Sequence, residues 1–501
     1  MEEVYFNQEG KDKLINGINK LNKAVASTLG PNGTTVIIPD KDNPNKYKVT
    51  KDGVSVANSI RFKDPVEDIG AELVKQAANK QLKEVGDATT TTTVLATAFI
   101  NNLKNFNTKD INKAFDEIIP KVIEELKANS RQLKHEDIKY VATISANNDI
   151  QVGDFIQQAY DFSSIIKVEE SNNNEDTLEY VDGMSLNTTY FSKNFITDPK
   201  KGEVHLDKPY VIIIDGKLDS LNAFENIIKD IHGKEESLLI ITEHVNESLL
   251  RLVETNVLSQ ALKCCVIKSP GFSKHRQDLL QDISLFTGGS LIIDLTKKYS
   301  SNILGRLKSA KITRDTSILL KDESINLDNK INDMKEYSKE LENYDKELLE
   351  QRISNLTGKV SIIKVGGRSE IEMKERKDRY DDAVLAVACA LEEGIVEGGG
   401  KALLYIIINV FKVYDKLHPK EEKTYLDLNS IEGCIAISLT KPYETIKENG
   451  CDLDIELNMF DLNIIDPLKS IRCALENAVS VAKTILSTEA IVLNYTAWMN
   501  Q

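Results

Sequence analysis

The stretch Val85-Gly86-Asp87-Ala88-Thr89-Thr90-Thr91-Thr92-Thr93-Val94-Leu95-Ala96 sets a carboxylate, a small residue and five hydroxyls between two amphipathic patterns. At a helix start, these groups suit a metal-bound polyphosphate. Exposed N–H groups and the helix dipole favour an anion there, and Asp87 offers a hard oxygen ligand to a cation. The same residues also read as a β-strand, as low-complexity sequence or as a plain N-cap. Taken alone, the segment favours a phosphate site only slightly.

Four other segments set carboxylates or glycines in sharp turns. Thr50-Lys51-Asp52-Gly53-Val54 puts an acid in a tight turn after a strand. Arg379-Tyr380-Asp381-Asp382-Ala383 puts an acid pair at the start of an apolar helix. Glu397-Gly398-Gly399-Gly400 lets backbone approach a ligand closely, and Ile464-Ile465-Asp466-Pro467 places an acid at another helix start. Each, taken singly, is more often a turn or a cap than a site. No Gly-x-x-x-x-Gly-Lys-Ser/Thr run occurs, which disfavours a Walker-type phosphate loop.

The elements that must position these residues fall into two classes. Apolar spacing predicts helices over 8–28 and 66–85, the latter striped by Ile69, Leu73, Ala77 and Leu82, with more helix from Thr93 to about Asn129. The turn Thr28-Leu29-Gly30-Pro31-Asn32-Gly33 and short strands at Val36–Ile38 and Lys48–Thr50 lie between the first two. The pattern then changes: apolar runs at Val211–Ile214, Leu238–Ile241, Cys264–Ile267 and Leu291–Ile293 recur about every 26 residues, with helical segments between them. Such alternation predicts a compact α/β domain, ending in a helix pair over 329–356. Helices resume over 379–393, 398–413, 428–448 and 467–486, so the simplest reading is a helical domain split by an insertion.

Bulk properties bound the function. A chain of 501 residues is too long for one hydrophobic core, and 41% hydrophobic with 28% charged residues reads as ordered and globular. The net charge of −15 argues against general nucleic-acid or anionic-membrane binding. No apolar run reaches a membrane span, and the start lacks a secretory pattern. Six cysteines without a CxxC pair fit reduced thiols in a cytoplasmic protein, and six scattered histidines make a zinc site improbable.

The order of the pieces resembles group I chaperonins of the bacterial GroEL type. The resemblance is carried by Thr-Leu-Gly-Pro-x-Gly, Lys-Asp-Gly-Val-Ser-Val-Ala, Gly-Asp-x-Thr-Thr-Thr-x-Thr-Val-Leu-Ala, Thr-Ile-Ser-Ala-Asn, Glu-Glu-Gly-Ile-Val-x-Gly-Gly-Gly and Asp-Pro. Ser269-Pro270-Gly271-Phe272, Leu280-Gln281-Asp282-Ile283, Thr287-Gly288-Gly289 and Ile363-Lys364-Val365-Gly366 extend it from about Val4 to Leu493. It implies a multidomain α and α/β subunit: a helical equatorial domain (1–127 and 393–501), a small α+β intermediate domain (128–181 and 361–392) and an inserted α/β apical domain (182–360).

The resemblance also implies roles. Asp87 would coordinate Mg2+ on ATP; Ala88, Thr89, Thr90 and Thr91 would donate to the phosphates. Thr28, Leu29, Gly30 and Pro31 would line the nucleotide, and Thr28, Lys51 and Thr90 would hold K+. Asp52 and Asp382 would orient or activate the attacking water, Asp382 arriving when the intermediate domain closes. Ser145, Gly399, Ile464 and Asp466 would contact base and ribose. Tyr190, Phe191, Phe195, Phe224, Ile227, Ile228 and Leu250 would form an apolar lip for unfolded polypeptide clients or a co-chaperonin lid. The implied activity is ATP hydrolysis coupled to protein folding in a homo-oligomer ring of seven subunits, single or double. The alternatives are a non-hydrolysing scaffold and a chaperone specialised for few clients.

This chain departs from the family pattern at several points. Ala88 replaces a glycine, and the stretch from Gly450 to Asp466 is short, removing the loop usually against the adenine. Asn194, Glu225, Glu254 and Thr255 stand where apolar residues are usual. Lys359 follows Gly358 in place of a hinge glycine, Thr188 replaces an arginine, and the glycine- and methionine-rich tail is absent. Asp149 and Arg379 keep an expected pairing within the subunit.

Overall fold

The computed structural model describes residues 2–39, 47–171, 173–199, 201–233, 236–271, 273–338, 343–410, 427–452, 454 and 456–494. Phe272, the end of the 398–413 helix expectation and the C-terminal tail lie outside the described residues. Two compact units are present: one holds residues 1–158, 170–175 and 365–501, the other 159–169 and 176–364. The first is mainly helical and the second α/β, which together give the mixed multidomain character expected from the sequence.

The first unit is built around the helix Thr89–Leu103. Its residues are buried on almost every side, including Thr92, Thr93, Leu95, Phe99 and Ile100. A helix apolar all round belongs in a core, and Asn7–Ala26, Pro65–Val85, Ile431–Glu448 and Leu468–Ser487 pack around this one. Ile18, Leu21, Leu439 and Leu475 fill the same core, and Phe99 meets Phe115 edge-on at 5.3 Å. The helical stretch expected from Thr93 to about Asn129 is present as two helices, Thr89–Leu103 and Thr108–Ala128. The break falls where Asn107 caps the second helix by accepting from the Lys109 N–H.

The helix carrying Asp382 runs Glu370–Glu393, nine residues earlier than the apolar spacing indicates. Its first turns are almost wholly charged, so hydrophobic periodicity missed them, whereas Ser369 marks the start by accepting from the Glu372 N–H. Two short strands, Ile395–Glu397 and Ile465–Pro467, pair antiparallel with Val396 opposite Asp466. Two further strand pairs, Glu2–Phe6 with Ala490–Asn494 and Val36–Pro39 with Tyr47–Thr50, belong to the same unit.

The second unit holds a ten-stranded sheet. Lys263–Lys268, Ser237–Thr242, Tyr210–Ile214 and Leu291–Ile292 run parallel, matching the four apolar runs of the sequence. Helices Glu225–Gly233, Glu247–Leu258 and Ser273–Thr287 alternate with them, so both faces are covered and the strands are apolar throughout. The sheet continues antiparallel through Gly305–Ile312, Ser317–Lys321, Thr177–Leu186 and Lys359–Val365. Where a hinge glycine was expected, Lys359 begins the last of these strands and forms an ion pair with Asp182, which also meets Lys321 at 2.5 Å.

Candidate functional site

The threonine run does start a helix, and its N-cap residue is Ala88, which has no side-chain hydrogen bond to the helix. The Asp87 carboxylate instead accepts from the Ala88 N–H at 2.6 Å. No side chain therefore caps the first turn at Thr89, Thr90 and Thr91, and the positive end of the dipole stays open to an anion. Ala88 itself adopts φ 61° and ψ 23°, the left-handed region that favours glycine.

The turn before this helix is held from below by buried amides. Gln81 donates to the backbone oxygens of Asp87 and Ser470, each at 3.0 Å, and accepts from Asn477 at 3.0 Å. Gln81 is fully buried, so these bonds compensate its polar groups for the loss of water. Sequence reasoning missed this relay, although an amide on each of two otherwise apolar helix faces was its signal.

Asp52 sits at the start of the helix Gly53–Ser59. One carboxylate oxygen accepts from the Val54 N–H at 3.2 Å and the other from the Ser55 N–H at 2.9 Å. The cap fixes the carboxylate while leaving each oxygen further acceptor capacity. Next to it, a β-carbon built on Gly53 would stand 2.1 Å from Thr90 Oγ1 and 3.4 Å from Thr28 Oγ1. Only glycine fits there, and the three segments carrying Thr28, Asp52 and Thr90 thus converge. Thr28 is buried and donates to the Val25 oxygen at 2.8 Å, whereas Lys51 is exposed.

The 28–31 turn is pinned from far along the chain. Asn449 donates to the oxygens of Ala26 and Leu29 at 2.9 and 2.8 Å, and Asn32 donates to the Gly450 oxygen at 2.8 Å. Gly30 takes φ 87° against Ile446, and Pro31 is exposed. Asn449 was also missed; an asparagine between a helix end and a glycine was its only mark.

Asp382 lies in the same compact unit as Asp52 and Asp87. Its carbonyl oxygen is 3.2 Å from where a Gly86 β-carbon would be, and Leu385 is closer still. Arg379, one turn earlier, pairs with Asp149 at 3.6 Å and Glu375 at 2.6 Å, so the expected internal pairing is present.

A further acid closes the region. Burial pushes the Asp87 carboxyl above its ordinary value against the opposing Ala88 N–H, and burial followed by the Asp87 charge pushes Asp466 up to about 7. The two acids are thus near enough to repel, an arrangement that a cation relieves. Gly398, before Gly399 (φ 67°), donates to the Ile464 oxygen at 2.9 Å. The helix Ile138–Ser145 packs on the strand Ile465–Pro467 and on the Asp382 helix. The Ser145 hydroxyl is buried without a hydrogen-bond partner among the described residues. Among those residues, no three His, Cys, Asp or Glu side chains gather as a metal site.

The seven apolar lip residues of the second unit divide. Phe195, Phe224 and Ile227 are core positions with at most 1% exposure, not part of an exposed lip. Phe224, Ile227 and Ile231 form the inward stripe of one helical segment, and Phe224 stacks on Tyr299 at 5.9 Å. Tyr190, Phe191, Ile228 and Leu250 are half-buried at the edge of that core. Asn194, Glu225 and Thr255 are exposed, and Glu225 pairs with Lys229 at 2.6 Å. Thr188, the arginine replacement, is buried and donates to the Lys268 oxygen.

No helix among the described residues is long and apolar enough to cross a membrane. The TCP-1/cpn60 chaperonin family matches residues 21–495. Two solved structures of the chaperonin gp146 from bacteriophage EL 2 (Pseudomonas aeruginosa), both in the presence of ATP-BeFx, are similar in fold. Crystal form II gives a TM-score of 0.67 at 23% identity, covering 98% of this chain and 99% of that one. Crystal form I gives 0.63 at the same identity and coverage. With its motifs in family order and the match spanning nearly its whole length, the chain belongs to the TCP-1/cpn60 chaperonin family.

Proposed function

We propose that this chain is an ATP-hydrolysing chaperonin subunit that captures non-native polypeptides and promotes their folding in a ring. The reading is supported by an uncapped helix start directly after Asp87, with the Asp52 turn packed against Thr90 and the Asp382 backbone close to Gly86 in the same compact unit.

Asp87 and the first-turn amides of Thr89, Thr90 and Thr91 would hold the phosphates. Mg2+ at Asp87 would neutralise phosphate charge when bound, a role that suits one carboxylate plus phosphate oxygens better than an all-protein cage. Thr28 and Thr90 bring oxygen donors beside Lys51 for K+. Asp52, fixed by its two backbone bonds, would orient a water, and Asp382 would accept its proton. The unpartnered Ser145 hydroxyl, the Gly399 backbone, Ile464 and Asp466 would meet ribose and base.

Three functional parts follow by resemblance: equatorial (1–127 and 393–501), intermediate (128–181 and 361–392) and apical (182–360). Clients or a co-chaperonin would meet Tyr190, Phe191, Ile228 and Leu250. With only four of seven lip residues partly exposed and polar neighbours beside them, a narrow client range is favoured over a broad one. ATP-dependent refolding of several unrelated denatured enzymes, with particles imaged in parallel by electron microscopy, tests this. Ring particles and nucleotide-dependent refolding of at least one client are expected; neither with any client overturns it.

A further inference from the structure

We propose that Lys401 and Glu397 are positioning residues that set nucleotide affinity and base selectivity by clamping the short segment 457–464. The inference rests on the nucleotide reading above. Lys401 opens the helix Lys401–Val410 immediately after Gly398-Gly399-Gly400, and its side chain is fully buried. A lysine is among the residues least often found there.

Its partners explain the placement. Lys401 Nζ donates to the Leu457 oxygen, pairs with Glu397 at 3.7 Å and lies 4.7 Å over the Tyr405 ring. Glu397 in turn accepts from the Met459 N–H at 2.8 Å. The Met459 oxygen accepts from the Ile464 N–H, and the Ile464 oxygen accepts from the Gly398 N–H, both at 2.9 Å. A closed circuit therefore runs from Glu397 through 457–459 to Ile464 and back to the glycines.

Outside this circuit the segment is held by its own turn bonds and by Phe460, whose ring lies 4.7 Å from the Arg131 guanidinium. Met459 is its buried apolar anchor, while Leu457, Asn458, Asp461 and Leu462 are exposed. Beside the clamp lies a cavity of 420 Å3 lined in part by Glu397, Tyr405, Glu456, Asn458 and Phe460, so packing does not close this side. A buried ion pair contributes little net stability over an apolar replacement, but it fixes where its polar partners sit. Here those partners are the backbone of the segment leading into Ile464 and Asp466. Asp52, Asp87 and Asp382 are held by other contacts, so loosening the clamp acts on the base end of the site first.

The test titrates a fluorescently labelled ADP into wild type, Lys401→Met, Glu397→Gln and the double variant, with ATP and GTP as competitors. Thermal unfolding and steady-state kinetics run alongside. Lys401→Met is expected to weaken labelled-ADP binding by about tenfold and to narrow the ATP-over-GTP preference, raising KM far more than it lowers kcat. Glu397→Gln keeps shape and the Met459 acceptor, so it reports the same direction should Lys401→Met not fold. The double variant leaves no unpaired buried charge; it is expected to regain thermal stability without regaining selectivity, a split that a purely structural role would not produce. Folded variants with wild-type affinity and ATP/GTP preference overturn the inference alone. Wild type that binds no labelled ADP overturns the nucleotide reading and the inference with it.

Discussion

Gly86 and Asp382 lie in backbone contact: a β-carbon on Gly86 would sit 3.2 Å from the Asp382 oxygen and 2.7 Å from Leu385 Cβ. Gly86 ends its helix with φ 74°, so any side chain there is disfavoured by conformation as well as by space. Glycine at this point lets the Asp382 helix lie on the loop that carries Asp87. Gly86→Ala is expected to lower stability by about 1–2 kcal/mol through backbone conformation alone. It should also displace the Asp382 helix, so ATP hydrolysis falls by more than nucleotide binding does. Equal losses in both would count against the contact as a positioning device.

Ala88 gives the opposite case. Its φ of 61° carries a β-carbon through the left-handed region at a cost that glycine avoids. Ala88→Gly should raise folding stability by about 0.5–1 kcal/mol, less than the full strain because glycine also frees the unfolded chain. Denaturant unfolding of the two proteins measures this. A lower midpoint for Ala88→Gly would show that the alanine is not strained.

The amide relay beneath the loop makes a separate prediction. Gln81→Leu preserves apolar volume but leaves the Asp87 and Ser470 oxygens and the Asn477 amide without their buried partner. A loss of about 2–4 kcal/mol follows from the polar groups left unsatisfied. Nucleotide binding should weaken as well, because the Asp87 turn loses its support. Wild-type stability and binding in Gln81→Leu would contradict the relay.

The sequence exposed the helix start, the glycine turns and all three acids, because each is a local pattern of residue types. The four parallel strands were equally legible, since both of their faces are buried and they read as continuous apolar runs. What it hid was contact between distant segments. Asn449, Gln81 and Asn477 each stand out locally as a polar amide, but local pattern does not pair Asn449 with Ala26 and Leu29 or Gln81 with Asn477. Phe195, Phe224 and Ile227 failed in another way: an aromatic or aliphatic residue looks the same in sequence whether it faces solvent or core, and tertiary packing decided. The charged turns of Glu370–Glu393 defeated hydrophobic periodicity for the same reason, being helical without an apolar stripe.

In the second unit, Glu203 links strand Val204–Asp207 to its neighbour through His205 at 3.1 Å and Lys311 at 3.0 Å. Burial pushes its carboxyl up, but the His205 hydrogen bond and the Lys311 ammonium outweigh that and bring it from 4.5 down to about 2. A folded-state value below the unfolded one means the stabilisation is complete above about pH 4.5 and disappears as pH falls toward 2. At neutral pH it is worth on the order of 3 kcal/mol, since each tenfold change in proton affinity corresponds to about 1.4 kcal/mol. Glu203→Gln should therefore destabilise the protein at pH 7 and flatten the loss of stability on acidification. Parallel pH–stability curves for the two proteins would contradict this.

The most direct test of the central claim is single-turnover cleavage of ATP by the purified protein beside Asp382→Ala, with nucleotide binding measured in the same samples. The variant should still bind ATP while cleavage falls by about 100-fold or more, the usual scale of losing a positioned acid–base group. Equal cleavage rates in the two proteins, whether both rapid or both at background, would contradict the claim.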